Sequence, residues 1–266
     1  MPAIQPVRLK TQAARLAEHF SEPRAFARHL TLLLEGYADH THRPGQAGEP
    51  SPLLPSFNTP PPVLRQVWLA ILPLISLYPQ AALNLCDALW THPALEHRLL
   101  AADILGQLPV EHQAEVINRV QLWTRGGIAD RLVEALLERS LVGLRTQSSQ
   151  VVADLAEYWL SGVDAQQKQL GLRLLNFMAS DSSFSDLPVI FRLLTPFLRS
   201  APPLLRPDII SLLNTLITRS APEVAYLFHQ SLAAAENPDT PWLLRQVITG
   251  FPPGLQVGLR DAIRKK

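Results

Sequence analysis

Apolar side chains recur at helical spacing along most of this chain. Leu9, Ala13, Leu16 and Phe20 form one stripe, and Phe26, Leu30, Leu33 and Leu34 form a second. They predict helices over 8–20 and 22–37, the second entered through Ser21 ahead of Pro23. Residues 38–62 then break the pattern with Pro44, Gly45, Gly48, Pro50, Pro52, Pro55 and the run Pro60-Pro61-Pro62. Proline at that density predicts an extended or mobile loop. Beyond it the stripes return in pairs: 63–77 with 80–90, 94–107 with 111–123, 127–143 with 149–160, 165–178 with 187–198, 203–219 with 222–234, and 242–250 with 253–263. Pro, Gly, Ser or Asp marks most of the joints.

The pair-opening helices begin near Val63, Ala94, Gly127, Asp164, Pro203 and Thr240, at intervals of 31 to 39 residues. A helix pair of that length cannot bury its own apolar face, so successive pairs must stack. The expected fold is therefore all-α, an α-solenoid of antiparallel helix pairs of HEAT/armadillo type wound as a right-handed superhelix. Residues 1–37 form an N-terminal pair, 38–62 the loop, and 63–266 about six further pairs, one continuous domain with the first. A solenoid's function usually sits on its concave face rather than in a closed pocket.

Composition narrows this without naming a function. The chain is 47% hydrophobic and 18% charged, too apolar for a disordered protein. The longest apolar stretch, 67–78, is interrupted by Pro73 and is too short to span a bilayer. The first ten residues are polar with two prolines, so no signal peptide is read, and the expected location is cytoplasmic with no membrane association. One cysteine, Cys86, excludes an internal disulfide framework, and its leucine-rich flank predicts a buried thiol. The net charge of +1 is not the footprint of a strong nucleic-acid binder. The cations are nevertheless skewed, because Lys occurs only at 10, 168, 265 and 266 and the rest are Arg. Arg suits both ion pairs between repeats and phosphate contacts.

Discrete chemistry is sparse. Asp39-His40-Thr41-His42 gathers ligand-type residues but lacks a second cluster, so no metal and no cofactor is expected. His92 and His97, five apart across a helix start, are not expected to share a face. Trp90, Trp123 and Trp159 each fall near the end of a pair-closing helix and read as ridges between repeats. No nucleophile elbow and no strand-to-helix glycine loop is present.

Several opening helices share a Pro or Asp near the start and a basic residue soon after: Pro93 with Arg98, Asp164 with Lys168, Pro203 with Arg206, Asp239 with Arg245. This resembles the HEAT repeat, in which such positions form a ladder between neighbours. Thr59-Pro60-Pro61-Pro62-Val63-Leu64-Arg65, the stretch 89–105 with Leu89-Trp90, Glu96 and Ala101-Ala102, and then 123–133 and 159–175 come in an order similar to the DNA alkylation repair family. Those proteins are HEAT-like glycosylases that excise alkylated purines. The resemblance implies the fold and a DNA-binding face, but the family's catalytic Asp falls at Gly127, and its Arg at Lys168 or Gln169. Glycine supplies no negative field for an oxocarbenium-like charge, and Asp130, the one weak catalytic candidate, reads first as an acid at a helix start that complements the dipole. The resulting expectation is a non-enzymatic HEAT-like protein binding a protein or duplex DNA, with Arg98, Arg125, Arg131, Lys168 and Arg173 as candidate contacts. The alternative is an alkylpurine glycosylase with a rearranged acid.

Overall fold

The computed structural model describes residues 5–39, 54–234 and 236–264. Every regular element among them is helical, and the chain divides into two compact units, 1–147 and 148–266. The His40–His42 cluster and most of the proline-rich stretch lie outside the described residues.

The N-terminal unit holds α1 (Pro6–Glu18), α2 (Pro23–Tyr37), α3 (Pro61–Leu77), α4 (Pro79–Thr91), α5 (Leu95–Leu105), α6 (Gln113–Trp123), α7 (Asp130–Ala135) and α8 (Val142–Gln147). Proline opens the first four, where its missing N–H costs nothing. Helix α1 packs on α3 and α2 on α4, so opening helices meet opening helices and closing helices meet closing ones. Phe26, Leu30, Leu34, Ile71, Ile75, Leu83, Leu85 and Leu89 fill the space between them. Trp90 and Trp123, two of the three tryptophans read as ridges, stack with ring centres 4.4 Å apart. Cys86 is fully buried, its thiol pushed up by desolvation.

The expected helix 127–143 is instead three pieces. Gly126 and Gly127 both adopt positive φ, so the helix starts at Asp130. A π-helical turn, Leu136–Ser140, then separates α7 from α8. This turn is packed closely against the end of α5. Gly106, at the end of α5, lies so close to that turn that a Cβ there would sit 1.9 Å from the Arg139 carbonyl oxygen. Gly143 approaches from the other side, where a Cβ would meet the Gly106 oxygen at 2.9 Å.

The C-terminal unit holds α9 (Ser149–Ser161), α10 (Ala165–Ser180), α11 (Leu187–Arg199), α12 (Arg206–Ala233), α13 (Thr240–Val247) and α14 (Pro253–Arg264). The Asp164 side chain caps α10 by accepting from the Gln166 N–H at 3.2 Å. The two helices expected over 203–234 run on as α12 across a kink at Ser220, two residues ahead of Pro222. Helix α10 packs on α12, and α9 on both α10 and α11. Arg219 closes the exposed end of α10: its guanidinium donates to the carbonyls of Ala179 (2.8 Å), Asp181 (2.6 Å) and Phe184. Replacing Arg219 by Met keeps the stem but strands those acceptors, and should lower stability by about 2 kcal/mol. Urea unfolding of the two proteins checks this; an unchanged midpoint means that water satisfies the carbonyls instead.

Ion pairs recur at similar sequence separations within each unit. Asp87 takes a bidentate pair from Arg119 at 2.7 and 2.9 Å, and Asp103 pairs with Arg139 at 3.3 Å. In the second unit Glu157 pairs with Arg192, Arg173 with Asp208 and Arg206 with Asp239. The partners are 32 to 36 positions apart. Solvent screens pairs this exposed and leaves them little net stabilisation, so their main effect is to fix the register between neighbouring pairs of helices.

Candidate protein-binding groove

The N-terminal unit carries an open groove of about 760 Å³ walled by α3, α5, α7, the π-helical turn and α8. Its floor is built by the start of α5. The Leu95 N–H donates to the Pro55 carbonyl at 2.9 Å. Glu96, in the first turn, accepts at one oxygen, Oε1, from the Ser56 hydroxyl (2.7 Å) and the N–H groups of Phe57 (2.8 Å) and Asn58 (3.0 Å). Asn58 holds φ at +49°, so the successive N–H groups curl round the carboxylate as a nest. The end of the proline-rich stretch, expected to be loose, is thus fastened to α5.

That fastening uses half of the carboxylate. Glu96 is only 5% exposed and its Oε2 has no hydrogen-bond partner among the described residues. Thr59, 9% exposed and also lining the groove, has an unpartnered hydroxyl. Buried polar atoms left unmatched are costly and uncommon in folded proteins.

The walls mix both charges. Arg65, Arg131, Arg139 and Arg145 line the groove together with Glu96, Asp103 and Glu138. Arg139 is held by Asp103, and Arg145 donates to the Leu137 carbonyl at 2.8 Å. Desolvation pushes the Asp103 carboxyl up, and the Arg139 charge opposes that rise. Arg65 on α3 and Arg131 on α7 are exposed, and no hydrogen bond or ion pair engages either among the described residues. Trp68, one turn beyond Arg65 on α3, adds a half-buried aromatic surface.

Of the five basic residues singled out from sequence, Arg131 lines this groove. Arg98 is half-buried, donating to the His92 carbonyl at 2.9 Å and lying over the Trp90 ring. Arg206 repeats the device in the other unit, donating to the Ala201 carbonyl and covering Trp242. Arg125 is exposed in the turn after α6. Lys168 and Arg173 belong to the C-terminal unit, half-buried, with Arg173 paired to Asp208 at 3.0 Å. Gln169, at the other position matched to the family's Arg, donates to the Leu204 carbonyl at 3.1 Å. Asp130 is exposed at the first residue of α7, a helix of 6 residues.

His92 and His97 correct the sequence reading, for their rings stack with centres 3.7 Å apart. His92 precedes α5, and the chain folds its ring back over the helix start. The Ala94 N–H donates to His92 Nδ1, so its proton is on Nε2, facing the Thr31 hydroxyl at 3.4 Å. Thr31 in turn donates to the Ala27 carbonyl and receives His97 Nε2–H at 3.0 Å. His97 Nδ1 is buried without a partner. Desolvation, and then the neighbouring His92, lower His97 to about 4. No group of three or more His, Cys, Asp or Glu that could hold a metal ion exists among the described residues.

Thr59, Arg65 and Glu96 fall in the segments that carry the family resemblance, but their convergence required the folded chain. Asp103, Arg139 and Arg145 gave no signal beyond residue type. Comparison with known protein families, curated proteins and solved structures finds no match to this chain.

Proposed function

We propose that this chain is a non-enzymatic, HEAT-like helical-repeat protein that binds a protein partner along the groove of its N-terminal unit. The observation that carries this is the mixed charge of that groove: three carboxylates stand among four guanidiniums around Trp68. A phosphate backbone would meet those carboxylates at close range, whereas a polypeptide can match both signs. The ion pairs at 32 to 36 residue separation support the repeat reading, since they join like positions of successive helix pairs. They also occupy Arg173, one of the cations available to DNA. No helix among the described residues is long and apolar enough to cross a membrane.

Titration of labelled duplex DNA, read by anisotropy at two salt concentrations, tests the choice of partner. The expected result is weak binding with a shallow salt slope, equivalent to about one or two phosphate contacts. A steep slope with submicromolar affinity would move the reading to DNA. Release of alkylated bases from treated duplex, lost in Asp130→Asn, would establish the glycosylase instead.

A further inference from the structure

The groove leaves two deeply buried polar atoms unmatched, and both belong to its floor. Glu96 Oε1 is saturated by three donors, while Oε2 of the same carboxylate has none. The Thr59 hydroxyl, on the same floor, is also unpartnered. An acceptor of that kind calls for an N–H donor, and a charged donor makes the shorter and stronger bond. A bare cation is a poor fit, because Arg65, Arg131 and Arg145 line the same groove and their charges repel it. The repulsion is offset when acidic groups travel with the cation and meet those two arginines. Arg139 does not oppose entry as a free charge, since Asp103 already holds it.

We propose that the groove takes a protein segment in which one Arg or Lys is flanked by acidic side chains, the basic head seated over the Glu96 carboxylate beside Thr59 and the acids on Arg65 and Arg131. This rests on the protein-partner reading above and adds the chemistry of the partner to it. Trp68 supplies the face on which the basic stem or head packs. The arrangement reads a pattern of charge rather than total charge, so a purely acidic or purely basic segment binds less well than a mixed one.

Selection from a random dodecapeptide display library on the intact protein tests this, followed by calorimetric titration of the enriched peptides. The expected consensus is a single Arg or Lys with Asp or Glu within about three positions, the reach of one groove-length of extended chain. Glu96→Gln keeps an acceptor oxygen for the Ser56–Asn58 donors but puts an amide donor where Oε2 stood, and should weaken such peptides about tenfold or more. Trp68→Ala and Arg131→Glu, both at accessible positions, should weaken them as well, and circular dichroism verifies that each variant remains folded. Enrichment of purely acidic or apolar peptides that still depend on Trp68 and Arg131 would overturn the mixed-charge preference while leaving a protein-binding groove. Undiminished affinity in Glu96→Gln would overturn the seating of the basic head and assign Oε2 to a structural water. No enrichment over the bare support would overturn the groove as a protein site altogether.

Discussion

Replacing Gly106 by Ala is expected to lower the unfolding free energy by about 3 kcal/mol, at the upper end of what one methyl costs in a packed interior. The backbone angle is not the reason, since Gly106 is in the right-handed helical region at φ −69°. Space is the reason. The added Cβ would lie 1.9 Å from the Arg139 carbonyl oxygen and 3.0 Å from Val142 Cγ1. Backbone cannot rotate aside as a long side chain can, so the π-helical turn would have to move away from α5. Urea denaturation should show the midpoint falling with an unchanged slope. Gly36 in α2 provides the contrast, for nothing lies within 4 Å of its would-be Cβ. Gly36→Ala should stabilise by about 0.5–1 kcal/mol through helix propensity alone. An equal response at the two positions would mean that the close approach at Gly106 is absent in solution. The consequence reaches the groove, because Arg139 and Glu138 are held there by that turn.

Acid should destabilise the N-terminal unit through His97. Its ring is fully buried against His92 and lowered to about 4, from the ordinary value of 6.5. Between those limits the unfolded chain binds a proton that the folded chain refuses, so stability falls as pH drops. The contribution is complete above about pH 6.5. It declines below that and is exhausted near pH 4. At 1.36 kcal/mol per unit the loss is about 3 kcal/mol, and His92, also lowered by burial, acts in the same direction. His97→Phe retains an aromatic ring over His92 and removes the titration. Unfolding free energies measured from pH 7 to pH 4 should therefore fall more gently in the variant, whatever its stability at pH 7. Parallel slopes would show that His97 is accessible to protons in the fold.

The pairing of helices and the Pro23 start of α2 were legible because each depends on local chemistry or on a short apolar period. The ion pairs were partly legible. Asp239 and Arg206 were flagged as pair-opening residues, but their pairing with each other across 33 positions follows from stacking one helix pair on the next. The π-helical turn was not legible, since the stretch 127–143 has good helical spacing and its close approach to Gly106 exists only in the folded chain. His92 and His97 were misjudged because helical phase was applied to a residue that lies before the helix. The groove depended most on tertiary structure. An acid in a first helical turn reads as a partner for the helix dipole, and nothing local reveals that Glu96 fastens Ser56–Asn58 through one oxygen and leaves the other unmatched. Arginine identity likewise does not announce which guanidiniums are held, as Arg139 is, and which stand exposed at a groove, as Arg65 and Arg131 do.

Amide hydrogen exchange of the intact protein, with and without a saturating mixed-charge dodecapeptide from the selection, locates the binding surface directly. Binding in the groove predicts slowed exchange in 56–68, at the start of α5 and across 131–145, with the exchange of 148–264 unchanged. Protection confined to 148–264, or protection by duplex DNA in place of the peptide, would contradict a protein-binding groove in the N-terminal unit.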